Sequence, residues 1–196
     1  MLILAADTSL PILSVALLSD GDVLGAIALE GRTSRNEKLL PAIDWLLTEN
    51  QLSSQHIDLF TVTRGPGSFT GVRIGLATMQ GLALPKAKPV CAMSTHEAVA
   101  PEGGRWVIVN DAGRQEMYVS VFEDGREIDR PHLVRADDLP QGETLDIAEV
   151  MQTLNVALLC GRRAAAIVAA GDLGKYADIT PIYVRLAEAE VKLRRT

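Results

Sequence analysis

With 196 residues, 47% of them hydrophobic, the chain can bury a proper core as one large domain or two small ones. A formal net charge of −6 and 4% aromatic residues exclude a dominant basic surface and a row of base-stacking rings, so a free-standing nucleic-acid binder is not expected. Cys91 and Cys160 lie far apart without metal-ligand spacing, and the apolar start at residues 1–6 is interrupted by Asp7. The composition therefore predicts a soluble, cytoplasmic α/β protein with reduced thiols, no signal peptide and no membrane span.

In chain order, residues 2–6 read as a strand ending in the polar turn Asp7-Thr8-Ser9. Two further strands, 12–18 and 23–29, are joined by Ser19-Asp20-Gly21-Asp22, where Asp-Gly accepts the positive φ of a tight turn. Leu39, Leu40, Ile43, Leu46 and Leu47 form one apolar stripe and predict a helix over 34–50, with Pro41 bending it or restricting its first turn. A strand over 57–63, a helix over 70–84, a strand over 89–92 and a short helix over 95–100 follow. Pro101-Glu102-Gly103-Gly104 marks a boundary between 1–100 and 101–196.

Beyond it the strand pattern resumes at 106–109 and 117–122, flanking the turn Asp111-Ala112-Gly113-Arg114, and Glu123-Asp124-Gly125-Arg126 makes another turn. The signal then weakens: 156–159 reads as a strand, 163–170 as a helix, 182–185 stays ambiguous, and the charged end 188–196 is a helix or a frayed tail. Strand, acidic turn and strand occur twice, at Asp7 and at Asp111, which points to duplicated halves facing a cleft.

The most specific string is Arg64-Gly65-Pro66-Gly67-Ser68-Phe69-Thr70-Gly71, set between a strand and a helix. Its glycines reach backbone angles closed to other residues, and Ser68 and Thr70 offer hydroxyls to cap the helix. Such a helix start can receive a phosphate or carboxylate; it can equally make a sharp turn under a packed helix. Asp7, beside Thr8 and Ser9, and Asp111 could hold a phosphate-bound magnesium, or each aspartate could bond its own turn. No Lys-Ser or Lys-Thr pair closes the loop, so it is not the usual nucleotide-hydrolase phosphate loop. The following helix carries small residues on one face (Gly71, Gly75, Thr78, Gly81) and apolar ones on another (Val72, Leu76, Met79, Ala83). It is either deeply buried in its own domain or shared with a partner. His56, His96 and His132 are scattered without zinc-type pairing.

Together with Ile3-Leu4-Ala5-Ala6-Asp7-Thr8-Ser9, Glu37-Lys38-Leu39-Leu40-Pro41 and Pro181-Ile182-Tyr183-Val184-Arg185, the glycine string resembles the bacterial TsaB (YeaZ) family. The match is dense over the first hundred or so residues and patchy beyond. The resemblance implies an actin/sugar-kinase/Hsp70-like (ribonuclease H-like) α/β fold with two related lobes, 1–100 and a reduced 101–196. It implies a non-catalytic scaffold for the catalytic subunit TsaD in placing the threonylcarbamoyl group on adenosine 37 of tRNAs reading codons that start with A. The ATPase subunit TsaE, a homodimer when alone, and tRNA reached through the complex are the further partners it implies. No cofactor or metal of its own is expected; ATP or ADP with magnesium belongs to the partner complex.

Carried over from the family, the partner surface is made by the helices 34–50 and 70–84, with Leu39, Leu40, Ile43, Leu47, Ile74, Ala77 and Met79 as anchors and Arg73 as a polar contact. Asp7, Thr8, Ser9, Gly65, Gly67, Ser68 and Asp111 would line a candidate nucleotide cleft. The chain departs from the family in a compressed stretch 134–174, where Cys160-Gly161-Arg162 stands in place of a glycine–aspartate turn. Two other readings stay open: an ATP-dependent small-molecule kinase of the same fold, and a metal-dependent M22-type peptidase.

Overall fold

The computed structural model describes residues 1–30 and 35–185; the expectations for Ser34 and for the charged end 188–196 fall outside them. β1 (Leu2–Asp7), β2 (Leu13–Ser19) and β3 (Asp22–Leu29) form an antiparallel meander. Its Asp20-Gly21 turn sits at φ of 50° and 95°, the conformation that favoured this dipeptide. α1 (Arg35–Glu49), β4 (Leu59–Thr63), α2 (Phe69–Ala83) and β5 (Val90–Met93) follow, giving a five-stranded sheet in the order β3-β2-β1-β4-β5. β4 lies parallel to both β1 and β5. α1 continues through Pro41 rather than ending there.

Both faces of this sheet are covered, which is why β1 reads as an unbroken apolar run. Leu4 and Ala6 point into a cluster with Leu39, Ile43 and Leu46 of α1 and Val72, Leu76 and Met79 of α2. Ile3 and Ala5, one residue out of phase, point to the opposite side.

After α3 (Thr95–Val99), β6 (Arg105–Gly113), β7 (Glu116–Glu123), β8 (Arg126–Arg135) and β9 (Glu143–Asp146) form a second sheet in the order β8-β7-β6-β9. Two antiparallel pairs followed by a parallel one repeat the β3-β2-β1-β4 topology of the first sheet, so the chain is two related lobes. The second is shortened. Where the first inserts α1 between its third and fourth strands, the second has a single 3-10 turn, Ala136–Asp138, and a loop. Leu139 from that loop, with Met117 and Val134, closes over Val107, Val109 and Val119. β8 and β9 carried no usable strand signal because they are solvent-facing for much of their length: Arg126 to Arg130 are all exposed, and β9 is only Glu-Thr-Leu-Asp.

The chain then makes α4 (Ile147–Thr153) and α5 (Val156–Ala169). α5 returns to the first lobe, where Ala157, Cys160, Ala164 and Ile167 fill the back of its sheet against Ile3, Ala5, Ala16 and Leu18. This corrects two expectations. Residues 156–159 are the first turn of α5, not a strand; Asn155 caps it by accepting the Leu158 N–H at 2.9 Å. Cys160-Gly161-Arg162 lies in mid-helix, not in a turn, and Gly161 is there because a Cβ would press on the Leu18 side chain. A short apolar run does not by itself distinguish the two states.

Candidate functional site

The glycine string and the Asp7-Thr8-Ser9 turn are built against each other. Ser68 donates its N–H to the Ser9 carbonyl at 2.7 Å, and the Thr8 hydroxyl donates to the Gly71 carbonyl at 2.7 Å. Ser68 caps α2 by accepting the Gly71 N–H at 3.2 Å. A Cβ at Gly67 would collide with the Ser9 carbonyl, one at Gly71 with the Thr8 carbonyl, and one at Gly75 with the Thr8 hydroxyl. The glycines thus let helix backbone lie directly on turn backbone, and part of the helix-start donor set is turned inward to the protein's own chain.

Asp7 is fully buried beneath this contact. Its Oδ1 accepts from the Ser9 N–H at 3.2 Å, the Ser9 hydroxyl at 2.6 Å and the Thr63 hydroxyl, while Oδ2 has no partner among the described residues. Burial raises its pKa, and the bonds from Ser9 and Thr63 only partly oppose that. Asp111 is exposed on β6, and its Oδ1 accepts the Gly113 N–H at 2.7 Å across an irregularity in that strand; the chain turns at Arg114-Gln115, not over 111–114 as expected. A small cavity of about 250 Å³ lies between the lobes, lined by Ser9, Gly67, Ser68, Asp111 and Tyr118 among others. It falls below the roughly 300–1,000 Å³ typical of small-molecule sites. Of the residues expected there, Asp7, Thr8 and Gly65 do not line it: Asp7 and Thr8 are buried beneath the contact of turn and helix, and Gly65 is buried beside Ile182, its carbonyl accepting the Thr95 N–H at 2.7 Å.

The lobes are joined by a polar contact the sequence did not reveal. His96, at the start of α3, is wholly buried, with Nε2 2.7 Å from Asn110 Oδ1 on β6 and Nδ1 2.7 Å from Ser120 Oγ on β7. The amide oxygen can only accept, so Nε2 carries the proton and Nδ1 accepts from Ser120. Desolvation holds the His96 pKa down at about 4, keeping the ring neutral.

On the outer side of the first lobe the two helices divide their apolar residues in a way that corrects the anchor set. Leu39 and Met79, expected on a partner surface, are wholly buried in the chain's own core against β1, β2 and β4, whereas Ile43 and Leu47 pack into that core and also line the groove on its outer side. Leu39→Ala is expected to lower folding stability by about 2–5 kcal/mol in a denaturant titration, an effect on the fold rather than on docking. Leu40, 54% exposed, does face solvent, and Arg73, Ile74 and Ala77 lie on the open side of α2. Two other apolar residues outside the expected set are also exposed, Trp45 on α1 at 56% and Leu84 just beyond α2 at 80%. Along α1 and the segment that follows it runs an open groove of about 600 Å³, lined by Leu40, Pro41, Ile43, Asp44, Leu47 and Leu52 and reached from α2 by Leu82.

Residues 178–185 lie as a strap beside this face. The Ile182 N–H donates to the Arg64 carbonyl at 2.7 Å, and Arg64 Nη1 reaches Asp178 at 3.1 Å. Arg185 donates to the Ala112 carbonyl at 2.9 Å and pairs with Glu116, so the strap crosses from the glycine string to the second lobe.

Two sheets of matching topology, a turn-on-helix seam and a reduced second lobe define a two-lobed α/β protein. A family model described as "TsaD: tRNA N6-adenosine threonylcarbamoyltransferase" matches residues 31–167. The chain belongs to that family. It is 29% identical to the tRNA threonylcarbamoyladenosine biosynthesis protein TsaB of Bacillus subtilis, over 98% of this chain and 97% of that one. It is 42% identical to the TsaB protein of Escherichia coli over 54% of this chain and 45% of that one, about half of each. The solved structure of YeaZ from Pseudomonas aeruginosa superposes with a TM-score of 0.76 at 24% identity, over 93% of this chain and 99% of that one, and shares the fold.

Proposed function

We propose that this chain is the accessory subunit of tRNA threonylcarbamoyladenosine synthesis, and that it forms no covalent bond itself but docks and supports the catalytic subunit TsaD. The relatives' names supply the pathway. The observation that carries the docking reading is the apolar strip on α1 and α2: Leu40, half in solvent, lines a groove with Pro41, Leu47 and Leu82, and Ile74 and Ala77 lie on the open side of α2. The inward-turned glycine string and Asp7, fully buried beneath it and bonded to Ser9 and Thr63, weigh against phosphoryl transfer by this chain, since the Ser68 N–H is given to the Ser9 carbonyl and the Asp7 carboxylate does not line the cavity between the lobes. ATP or ADP with magnesium, TsaE and tRNA are assigned to the assembled complex in the cytoplasm. The free chain uses the same strip to pair with itself, so self-association and TsaD binding exclude each other.

The test is association of the purified chain with purified TsaD, measured calorimetrically. Leu40→Glu and Ile74→Glu are each expected to weaken binding by about a hundredfold or more, because each places a charge in an apolar contact. Sedimentation of the same variants alone is expected to show monomer. Unchanged TsaD binding by both variants would remove α1 and α2 from the interface.

A further inference from the structure

α2 bears a single charged side chain, Arg73, on the open side of the helix beside Ile74 and one turn before Ala77. Unlike an ordinary surface arginine it is held in place. Its guanidinium carbon lies 3.8 Å from the Phe69 ring centre and 5.4 Å from that of Tyr183, and the two rings are 4.7 Å apart. Arg73 Nε donates to the Tyr183 hydroxyl at 2.6 Å. Tyr183 cannot drift, because the strap carrying it is tied to Arg64 on one side and, through Arg185, to Ala112 and Glu116 on the other. With Nε used, the Nη1 and Nη2 ends have no hydrogen-bond partner among the described residues. A planar fork fixed in advance binds a carboxylate through two parallel hydrogen bonds and loses less conformational freedom on doing so.

We propose that Arg73, positioned by Phe69 and Tyr183, is the receptor for a carboxylate on the catalytic partner, and that the C-terminal strap is therefore part of the docking surface. The proposal rests on the docking reading above and deepens it. A protein carboxylate fits better than an RNA phosphate: one guanidinium at the edge of an apolar strip meets one anion, whereas a nucleic-acid backbone calls for several cations, and this chain is acidic overall. Tyr183 is a positioning residue; Arg73 makes the contact.

The experiment titrates purified TsaD with wild-type chain, Arg73→Lys, Tyr183→Phe and Ile74→Glu, with a thermal melt of each to verify folding. Arg73→Lys keeps the charge but removes the fork, and binding is expected to weaken about tenfold. Tyr183→Phe keeps the ring but frees Nε, and a loss of about three- to tenfold is expected. If Ile74→Glu abolishes binding while Arg73→Lys and Tyr183→Phe bind as wild type, this proposal is overturned and the docking reading stands. If Ile74→Glu also binds as wild type, both fall. In a parallel filter-binding arm with tRNA and the assembled complex, a loss of tRNA affinity on Arg73→Lys with TsaD binding intact overturns it in favour of an RNA contact.

Discussion

Gly71→Ala is expected to lower folding stability by about 3 kcal/mol or more, and Gly75→Ala by nearly as much, in urea titrations monitored by circular dichroism. Overpacking a tight core contact commonly costs about 1–3 kcal/mol. Here the added methyl would meet the Thr8 carbonyl, which is backbone and cannot rotate away, and at Gly75 the Thr8 hydroxyl that already bonds the Gly71 carbonyl. Either substitution must lift α2 from the β1–β2 turn and expose part of the Val72, Leu76 and Met79 contact. Gly81, in the same helix, is the internal control. Nothing lies within 4 Å of a Cβ built there, so Gly81→Ala is expected to raise stability by about 0.5–1 kcal/mol through helix propensity alone. Equal stabilities for Gly71→Ala and Gly81→Ala would mean that the seam between helix and turn is not closed in solution.

Acidification is expected to weaken the fold through His96. Its folded pKa of about 4 lies below the unfolded 6.5, so the unfolded chain takes up a proton first as pH falls. The stability that neutral His96 contributes is fully present above pH 6.5 and is lost as pH falls from 6.5 through 4. At about 1.4 kcal/mol per pH unit the full effect is roughly 3 kcal/mol. Asp7, with its pKa raised, acts in the opposite direction, its contribution being lost as pH rises through its folded value. Comparing wild type with His96→Gln isolates the histidine, because Asp7 is common to both. The variant is expected to lose about one proton's worth of acid slope. In the wild type, the imidazole carbon-bound proton signals of His96 are expected to stay at their neutral shifts down to about pH 4; titration near 6.5 would show the ring open to water and the lobe contact absent.

The meander and the glycine string were legible because each is written locally, whereas the second acidic turn, expected over 111–114, is the end of β6 and the chain turns at Arg114-Gln115. Asp20-Gly21 suits a tight turn, β1 alternates nothing because both its faces are covered, and three glycines in eight residues announce close backbone approach. The candidate site was legible only in part. Leu39 and Leu40 are neighbours of the same type, yet one is wholly buried and the other half in solvent. A wide apolar stripe gives the direction of the core but not its edge, which depends on where β2 and β4 lie beneath the helix. Trp45 and Leu84 went unnoticed for the same reason.

Sequence alone settled which elements form in the first lobe, that a second run of strands follows, and, through its motifs, the family; all of these follow from short-range pattern and turn chemistry. Only the tertiary structure decided what the glycines do, because their neighbour is a turn some sixty positions earlier in the chain. The same holds for α5 crossing back to the first sheet, for His96 joining the lobes and for Tyr183 fixing Arg73. In each case the partner is distant along the chain, and hydrophobic period and local propensity carry no information about distant partners.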